Sequence, residues 1–489
     1  MPAKLLVCAR PVFAVGWLLL VGCSAAAEPT ASSPPLPSTE PAGWADEIRL
    51  PLAEDLNSDP HVLEVSIEAR LSDVELIPGK PTKAWTYNGG IPGPLLRANV
   101  GDRLIVHFKN SLPEPSSIHW HGLRIPNDMD GVPDMPEPAV PPGGTFDYDF
   151  VLPDAGTFWY HPHFDSGAQV SSGLYGPIVV DDPAEPKGLG DEVVIVMSDI
   201  AVDASGALQA PDSGGDFGTL FGREGNLHLV NGRVAPTLHV RAGVRQRWRI
   251  INAARARYEQ LLIPGVTFTR IGGEGGMLEA PESLDHLLLT PAQRADVVFE
   301  PTLAGAAAAA RSLPLTWVPY DRGFGTAFNR PNETLMTLAF DTEPGVVAAP
   351  LPALHRDIPA IDMTSATPVD ISLTLNPDAA GKLAMGINGV PSWQAAHLMT
   401  KLGERQLWTV KNTIDWDHPF HLHGFFFQVL DVNGVAPAVR EWRDTVNVPV
   451  DATVRLAVYF DERPGMWMFH CHILDHADAG MMGMLLLAP

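Results

Sequence analysis

The chain has 489 residues, of which 45% are apolar and 18% are charged, and this composition is typical of a folded globular protein. Its formal net charge of −24 argues against nucleic acid as a partner, because a nucleic-acid-binding protein needs a basic face. The 47 prolines and 44 glycines exceed what long helices tolerate, and they favour many short strands joined by turns.

The N-terminus predicts a signal peptide. Lys4 and Arg10 flank the start, and the apolar run over residues 11–21 is too short to span a bilayer, where about 20 apolar residues are needed. The letters "LVGC", which end at Cys23, resemble the lipobox of bacterial lipoproteins. They predict a lipoprotein signal peptide over residues 1–23, cleavage before Cys23 and a lipid on its thiol. The alternative is an ordinary signal peptide cleaved near "SAAAE".

Residues 24–45 are rich in Ala, Ser, Pro and Thr, which predicts a flexible linker. We therefore expect an exported protein, periplasmic or at the cell surface, that touches the membrane only through an N-terminal lipid anchor. We also expect it to be a monomer.

One sequence pattern recurs three times along the rest of the chain. In each copy an Asn-Gly pair precedes a run of alternating apolar residues, the period of a half-buried strand, and a glycine lies nine residues before an asparagine. Short strands and turn signals at this density predict an all-β fold of three β-sandwich domains, over residues 46–184, 185–345 and 346–489. The repeated residues are Gly101 and Asn110, Gly243 and Asn252, and Gly403 and Asn412.

Four His-x-His pairs lie at equivalent places in the first and third copies. Two begin nine residues after Asn110 and Asn412, whereas Leu261 stands at that place in the second copy. The other two begin five residues after Gly156 and Gly465. The pairs are His119 with His121, His161 with His163, His421 with His423, and His470 with His472. Residues i and i+2 of a strand face the same way, about 7 Å apart, so each pair presents two imidazoles that can serve different metal ions.

Cys471 is the one cysteine left in the predicted mature domains, so no intrachain disulfide is available to them. It lies between His470 and His472, and its sulfur therefore points to the opposite face of the strand. His418 and His421 are three residues apart, so if "HPFHLH" is extended their side chains face opposite sides of the strand. A thiolate, two imidazoles and a weak thioether are typical of a blue copper site, and His476 and Met481 follow in the sequence.

With these motifs the chain resembles a three-domain multicopper oxidase of the laccase type. The stretches "HWHG", "HPHF", "HPFHLHG" and "HCHILDHADAGMM" carry the resemblance, which extends over roughly residues 46–489. It implies three cupredoxin-like Greek-key β-sandwiches, of which the second has no copper ligands, and a trinuclear copper cluster between domains 1 and 3.

The resemblance also implies four copper ions and their ligands. The type 1 copper would take His418, Cys471, His476 and, axially, Met481, with Met482 as the alternative. The type 2 copper would take His119 and His421. The two type 3 coppers would take His121, His161 and His472, and His163, His423 and His470.

The implied reaction is one-electron oxidation of a small reducing substrate at type 1, four times over, coupled to reduction of dioxygen to water. Asp130 matches a family acid near the cluster and would relay protons, although Asp130-Gly131 is also a plain turn. Many bacterial relatives carry a carboxylate where this chain has Ala477, so either Asp475 or Asp478 compensates or the proton path differs.

Three functions remain open. The first is oxidation of phenols or aromatic amines, which we prefer because domain 3 has only scattered methionines before its ligands. The second is oxidation of Cu(I) or another metal ion in copper tolerance, and the third is copper binding or electron transfer without turnover. A copper nitrite reductase would place type 1 ligands in domain 1, where Pro162 stands instead of a cysteine. We expect Asp444, together with Trp442 and Arg443, to brace domain 3.

Overall fold

The structure is a computed structural model that describes residues 48–303, 309–323, 330–340, 350–377, 381 and 383–488. The predicted signal peptide (1–23), the predicted linker (24–45) and Cys23 lie outside the described residues. None of the helices in the described ranges is long and apolar enough to cross a membrane.

Residues 62–181, all of which are described, form two four-stranded sheets. One sheet has the order β2-β1-β4-β6 and the other β3-β8-β7-β5. A short helix, α1 (Ser166–Ser171), precedes the last strand. The strands are β1 (Val62–Ile77), β2 (Lys80–Tyr87), β3 (Leu96–Asn99), β4 (Arg103–Asn110), β5 (His119–His121), β6 (Thr145–Val151), β7 (Gly156–His161) and β8 (Gly176–Asp181).

The described part of 191–340 forms a six-stranded and a five-stranded sheet, β10-β9-β12-β17-β14-β15 and β11-β19-β18-β13-β16. Helix α2 (Gly215–Phe221) follows the first strand. The strands are β9 (Asp191–Ile200), β10 (Leu227–Val230), β11 (Thr237–Val240), β12 (Gln246–Asn252), β13 (Glu259–Leu262), β14 (Phe268–Gly273), β15 (Gly276–Leu284), β16 (Leu287–Leu289), β17 (Arg294–Phe299), β18 (Ser312–Trp317) and β19 (Glu333–Phe340).

The described part of 367–488 forms two five-stranded sheets, β21-β20-β23-β27-β25 and β22-β29-β28-β24-β26. Helix α3 (Leu474–Asp478) precedes the last strand and packs against α1 and α2. The strands are β20 (Thr367–Pro377), β21 (Leu383–Ile387), β22 (Leu398–Lys401), β23 (Arg405–Asn412), β24 (His418–Leu422), β25 (Phe427–Val432), β26 (Thr445–Val448), β27 (Thr453–Tyr459), β28 (Gly465–Cys471) and β29 (Met482–Ala488).

The two sheets of each pair enclose one apolar core. In the first pair, Val106 of β4 packs in the same cluster as Trp120 of β5 and Phe158 of β7, and all three are buried. The other two pairs enclose equivalent clusters around Trp248 and Trp408. The prediction of an all-β chain built from β-sandwiches is confirmed.

The repeated asparagine explains why the three copies share their spacing. Asn110, Asn252 and Asn412 each end a strand, and the side-chain oxygen of each accepts the backbone N–H two residues on, at 3.0 Å in all three. The side-chain amide of each donates to a carbonyl four or five residues on. This Asx turn directs the chain into the next loop in the same way in each copy. In the first and third copies that loop leads to His119 and His421.

Candidate metal centre

The His-x-His pairs lie on hydrogen-bonded strands. In the first sandwich β5 pairs with β7, and His119 lies opposite His161. In the last sandwich β24 pairs with β28, and His421 lies opposite His470. Each sandwich therefore brings its two pairs together at one end of a sheet.

Imidazoles from the two ends of the chain meet at one site. The ring centroids of His119 and His423 are 4.0 Å apart, and those of His121 and His421 are stacked at 3.9 Å. Metal-binding atoms lie within 4.8 Å of one another in three all-histidine groups: His119, His421 and His423; His119, His121 and His161; His163, His423 and His470. His472 completes the cluster, with its ring 4.9 Å from His121 and 5.5 Å from His161. The structure thus brings all eight predicted cluster histidines together.

Hydrogen bonds orient these rings. One nitrogen of each of several rings donates to a backbone carbonyl: His119 to Asp130, His161 to Pro162, His421 to Asp444 and His470 to Cys471. Such bonds fix the tautomer and leave the other nitrogen as a lone-pair donor. The remaining nitrogens are buried without a hydrogen-bond partner: His119 Nε2, His121 Nδ1, His161 Nε2, His421 Nε2 and both nitrogens of His472. The free Nε2 atoms of His423 and His470 face each other at 3.1 Å.

Burial favours neutral imidazole at several positions of the cluster. Burial, together with the neighbouring imidazoles, lowers the pKa of His470 to about 3. Burial likewise holds the pKa values of His121, His161, His163, His423 and His472 well below their usual range. Neutral imidazole is the form that binds a metal ion, so the site is ready to bind metal at neutral pH.

A second site lies on the other face of β28. The Sγ of Cys471 is 3.4 Å from His418 Nδ1 and 3.5 Å from His476 Nδ1, and the two Nδ1 atoms are 3.2 Å apart. All three side chains are fully buried. Met481 is buried in the same apolar cluster as Cys471, whereas Met482 is partly exposed. Burial therefore favours Met481 over Met482 as the fourth ligand.

Asp130 lies between two of the cluster imidazoles. Its Oδ2 accepts a hydrogen bond from His423 Nδ1 at 2.9 Å, and its backbone carbonyl accepts one from His119 Nδ1 at 2.8 Å. Asp130 is 2% exposed, and its Oδ1 has no hydrogen-bond partner, although His119 Nδ1 lies 3.4 Å from it. Asp130 therefore links a histidine of the first sandwich to one of the last.

Asp444 has a larger role than the sequence indicated. Its Oδ1 accepts from His121 Nε2 at 3.1 Å, and its carbonyl accepts from His421 Nδ1 at 2.9 Å. Arg294 of β17 donates to both carboxylate oxygens, at 2.8 and 2.6 Å. Glu274 accepts the backbone N–H of Asp444 at 2.8 Å and comes from the glycine-rich "GGEGG" stretch. The middle sandwich thus supports the cluster without supplying a histidine, and no local spacing in the sequence reveals this.

Neither acid near Ala477 reaches the histidine cluster through a hydrogen bond in the described residues. Asp475 is bound by Arg255, at 2.7 and 2.9 Å, and by Arg223. Asp478 accepts the backbone N–H of Gly167 in α1 at 2.9 Å. These two carboxylates join α3 to the other two sandwiches. In the described residues neither of them therefore directly replaces the carboxylate expected at position 477, where this chain has alanine.

The middle sandwich covers the cysteine site. The carbonyl of Leu220 in α2 accepts a hydrogen bond from His476 Nε2 at 3.0 Å. Phe221 packs against Trp416, with ring centroids 5.0 Å apart. Helix α2 therefore covers the Nε2 edge of His476.

The donor sets fit copper. Cys471 with His418, His476 and a buried methionine is the trigonal set, with a weak axial thioether, that binds copper in blue proteins. The histidine cluster offers unpartnered buried nitrogens, which cost free energy unless a metal ion satisfies them.

Comparison with known proteins agrees with this chemistry. Family models described as multicopper oxidase match residues 69–185, 191–306 and 362–489. "Multicopper oxidase MmcO" of Mycobacterium tuberculosis is 35% identical over 82% of this chain and 83% of its own length. "Copper resistance protein A homolog" of Pseudomonas syringae pv. tomato is 28% identical over 83% of this chain and 89% of its own length.

The fold has the same relatives. A solved structure of a multicopper oxidase from Campylobacter jejuni, described as a metallo-oxidase, superposes with a TM-score of 0.78 at 30% identity. The match covers 90% of this chain and 94% of that one.

Proposed function

The chain belongs to the multicopper oxidase family, and on that premise we propose that it holds four copper ions, one of type 1, one of type 2 and two of type 3. The protein is a copper oxidoreductase that uses oxygen and a reducing substrate. The observation that carries the finer proposal is the meeting of eight imidazoles from the two ends of the chain, beside a buried Cys471 flanked by two of them.

The proposed ligands follow the family resemblance, and two of the sets coincide with groups of neighbouring donor atoms. His418, Cys471, His476 and Met481 would hold type 1, and His119 and His421 type 2. The type 3 pair would be held by two trios of imidazoles: His121, His161 and His472, and His163, His423 and His470. The last trio and the cysteine trio each have their donor atoms within 4.8 Å.

The copper ions supply one-electron transfer from the reductant and four-electron reduction of dioxygen, so that four electrons and four protons convert one O2 into two waters. The protein contributes the path and the environment. Cys471 is covalently continuous with His470 and His472, which gives a short bonded route from the sulfur to the cluster. The buried rings exclude water, and Asp130 lies at the cluster within hydrogen-bond reach, as a proton carrier must.

The reductant belongs to one of two classes. The sequence favours phenols or aromatic amines over a metal ion, because domain 3 has only scattered methionines before its ligands. The cover over His476 supports the second class, a small metal ion such as Cu(I), because the buried imidazole edge offers an aromatic ring no direct contact. The relative from Pseudomonas syringae pv. tomato is named for copper resistance, which agrees with a metal-ion reductant for that relative.

Oxygen uptake by the copper-loaded protein would rank these classes. Separate assays would use a phenol, an aromatic amine, Cu(I) and Mn(II) as reductants, with copper-free protein as the control. Faster turnover of Cu(I) than of the organic reductants would support a cuprous oxidase. The reverse order would support a laccase-like enzyme, and no uptake with any of them would leave a copper-binding or electron-transfer protein.

We also propose the domain limits 46–184, 185–345 and 346–489, which the three family-model ranges and the three pairs of sheets support. A lipid on Cys23, an exported location and a monomeric state complete the proposal. Palmitate labelling of wild type and of Cys23→Ala tests the anchor, and incorporation that does not depend on Cys23 would refute it.

A further inference from the structure

Arg322 is a buried cation without a carboxylate partner in the described part of the chain. It follows β18 and is 2% exposed. One guanidinium nitrogen donates to the carbonyl of Phe221, and another, Nη1, is buried without a hydrogen-bond partner. The guanidinium carbon lies 5.4 Å from the ring centroid of Tyr258. An aromatic ring and a carbonyl stabilise this charge but do not neutralise it.

Backbone contacts fix Arg322 next to the cysteine site. Its carbonyl accepts the N–H of Asp417, the residue before His418, at 2.7 Å. Its side chain donates to the carbonyl of Phe221. The carbonyl of the preceding residue, Leu220, accepts a hydrogen bond from His476. The guanidinium therefore binds the carbonyl next to the one that His476 binds, and the backbone of Arg322 binds the residue next to His418.

The nearby carboxylates of Asp417 and Glu224 interact with the charge of Arg322 but form their hydrogen bonds and ion pairs with other residues. Asp417 accepts from Tyr320, Asn447 and the N–H of Val450. Glu224 is paired with Arg257 at 3.3 Å and with Arg330 at 2.5 Å.

We propose that Arg322 is a positioning residue of the middle sandwich that raises the reduction potential of the type 1 copper. The inference rests on the proposed function, since it requires a copper at Cys471. Reduction of Cu(II) to Cu(I) adds one electron and removes one unit of positive charge from the site. A fixed cation close by and out of water disfavours the more positive, oxidised form. Arg322 thereby extends the range of reductants from which the site can accept an electron.

Redox titration of the blue absorbance tests this, in wild type, Arg322→Gln, Arg322→Met and Arg322→Lys. The two neutral variants should lower the midpoint potential, so that the equilibrium constant for electron uptake falls by at least about tenfold, about 59 mV for a one-electron couple. Arg322→Lys should restore most of the potential. Arg245→Gln is the matched control, because Arg245 is a buried arginine of the same sandwich that is paired with Glu300 at 2.6 Å.

Copper content and blue absorbance are measured first on each variant. An unchanged potential in a neutral variant that keeps the blue absorbance would overturn the role of Arg322 and leave the proposed function intact. If the midpoint potential of Arg322→Lys falls as far as that of Arg322→Gln, the role of Arg322 is also overturned, because packing rather than charge would then be the cause. Loaded wild type without blue absorbance would overturn the inference together with the proposed function.

Discussion

At the scale of single residues, the chemistry of the site depends on which polar atoms are left without protein partners. The carbonyls of Asp130, Pro162, Asp444 and Cys471 each take the hydrogen of one imidazole, and the opposite nitrogen is left facing the cluster. Asp130 and Asp444 differ from the other two because their side chains also contact the cluster. The Oδ1 of Asp130 is buried without a hydrogen-bond partner, although His119 Nδ1 lies 3.4 Å from it.

Replacement of Asp130 by alanine should impair the proposed histidine cluster and leave the proposed cysteine site unchanged. We expect Asp130→Ala to lose oxygen reduction by about 100-fold or more, because a proton carrier contributes factors of this size. Its blue absorbance should persist, since the hydrogen bonds of Asp130 go to His423 and His119 and not to the cysteine site. Oxygen uptake and the visible spectrum measure the two effects. Asp128→Ala, an exposed carboxylate two residues away, is the control, and unchanged turnover in Asp130→Ala would remove Asp130 from the mechanism.

His228 makes stability depend on pH through a buried ion pair in the middle sandwich. Its Nε2 is 2.9 Å from both carboxylate oxygens of Glu259, and Glu333 and Arg257 also face it. Burial lowers the pKa of His228, but Glu259 and Glu333 outweigh burial and raise it to about 9. A raised pKa gives stability that is complete below about pH 6.5 and is lost as pH rises through about 9.

We therefore expect the copper-free protein to lose more thermal stability between pH 7 and pH 10 than its His228→Gln variant does. The unfolding midpoint measured at the two pH values checks this difference. His107→Gln is the control, because its ring is 40% exposed and its ion pairs are screened by water. Equal pH dependence in wild type and His228→Gln would contradict the assignment.

At the scale of elements, α2 is the segment that limits access to the cysteine site. The helix has seven residues, so it gains little stability from its own backbone and depends on packing. Phe221 supplies that packing on Trp416, whereas Phe217, one turn earlier, is 65% exposed.

Phe221→Ala should loosen the cover over His476. We expect an increase in kcat/KM for a bulky phenol with little change for Cu(I), because a small ion does not need the space that an aromatic ring needs. The truncation should also cost about 3 kcal/mol of stability, as loss of a buried aromatic side chain does. Phe217→Ala on the same helix is the matched control. If both variants oxidise the phenol at the wild-type rate, α2 does not limit the reductant.

At the scale of the whole molecule, two sandwiches provide the proposed ligands and the third holds them in place. Arg294 of the middle sandwich binds Asp444, which in turn contacts His121, so one chain of contacts runs through all three sandwiches. Arg255 does the same beside the other site, joining Asp475 to Ser171 of α1.

The copper content of the reconstituted chain tests this arrangement as a whole. We expect four copper ions per chain in wild type and three in Cys471→Ser, which should lose the blue absorbance while the histidine cluster keeps its metal. Metal analysis and the visible spectrum check both numbers. His286→Gln, an exposed histidine outside the motifs, should keep all four. A single copper per wild-type chain would refute the proposed cluster.

The fold class and the family could be predicted because their signals are local. The burial of "RLIVHFKN" and "RQLWTVKN" alternates in the same way along β4 and β23, as period two requires. An Asx turn recurs at the asparagine in both copies. Because the loop starts in the same way, the equal sequence spacing from asparagine to histidine places the histidine at the same position of each sandwich. The ligand roles of these histidines stay a prediction until metal is measured.

What the sequence determined by itself was the β architecture, the family and the candidate donors, since strand period and motif spacing depend on near neighbours in the chain. Only the tertiary structure decided that Asp444 supports the cluster, that Leu220 covers His476 and that Arg322 lies beside the cysteine site without a salt bridge to any described carboxylate. Each of these is a contact between residues that the chain holds far apart, such as His121 and Asp444, and no spacing rule connects them. They arise from the way three sandwiches pack, which is a property of surfaces and not of local pattern.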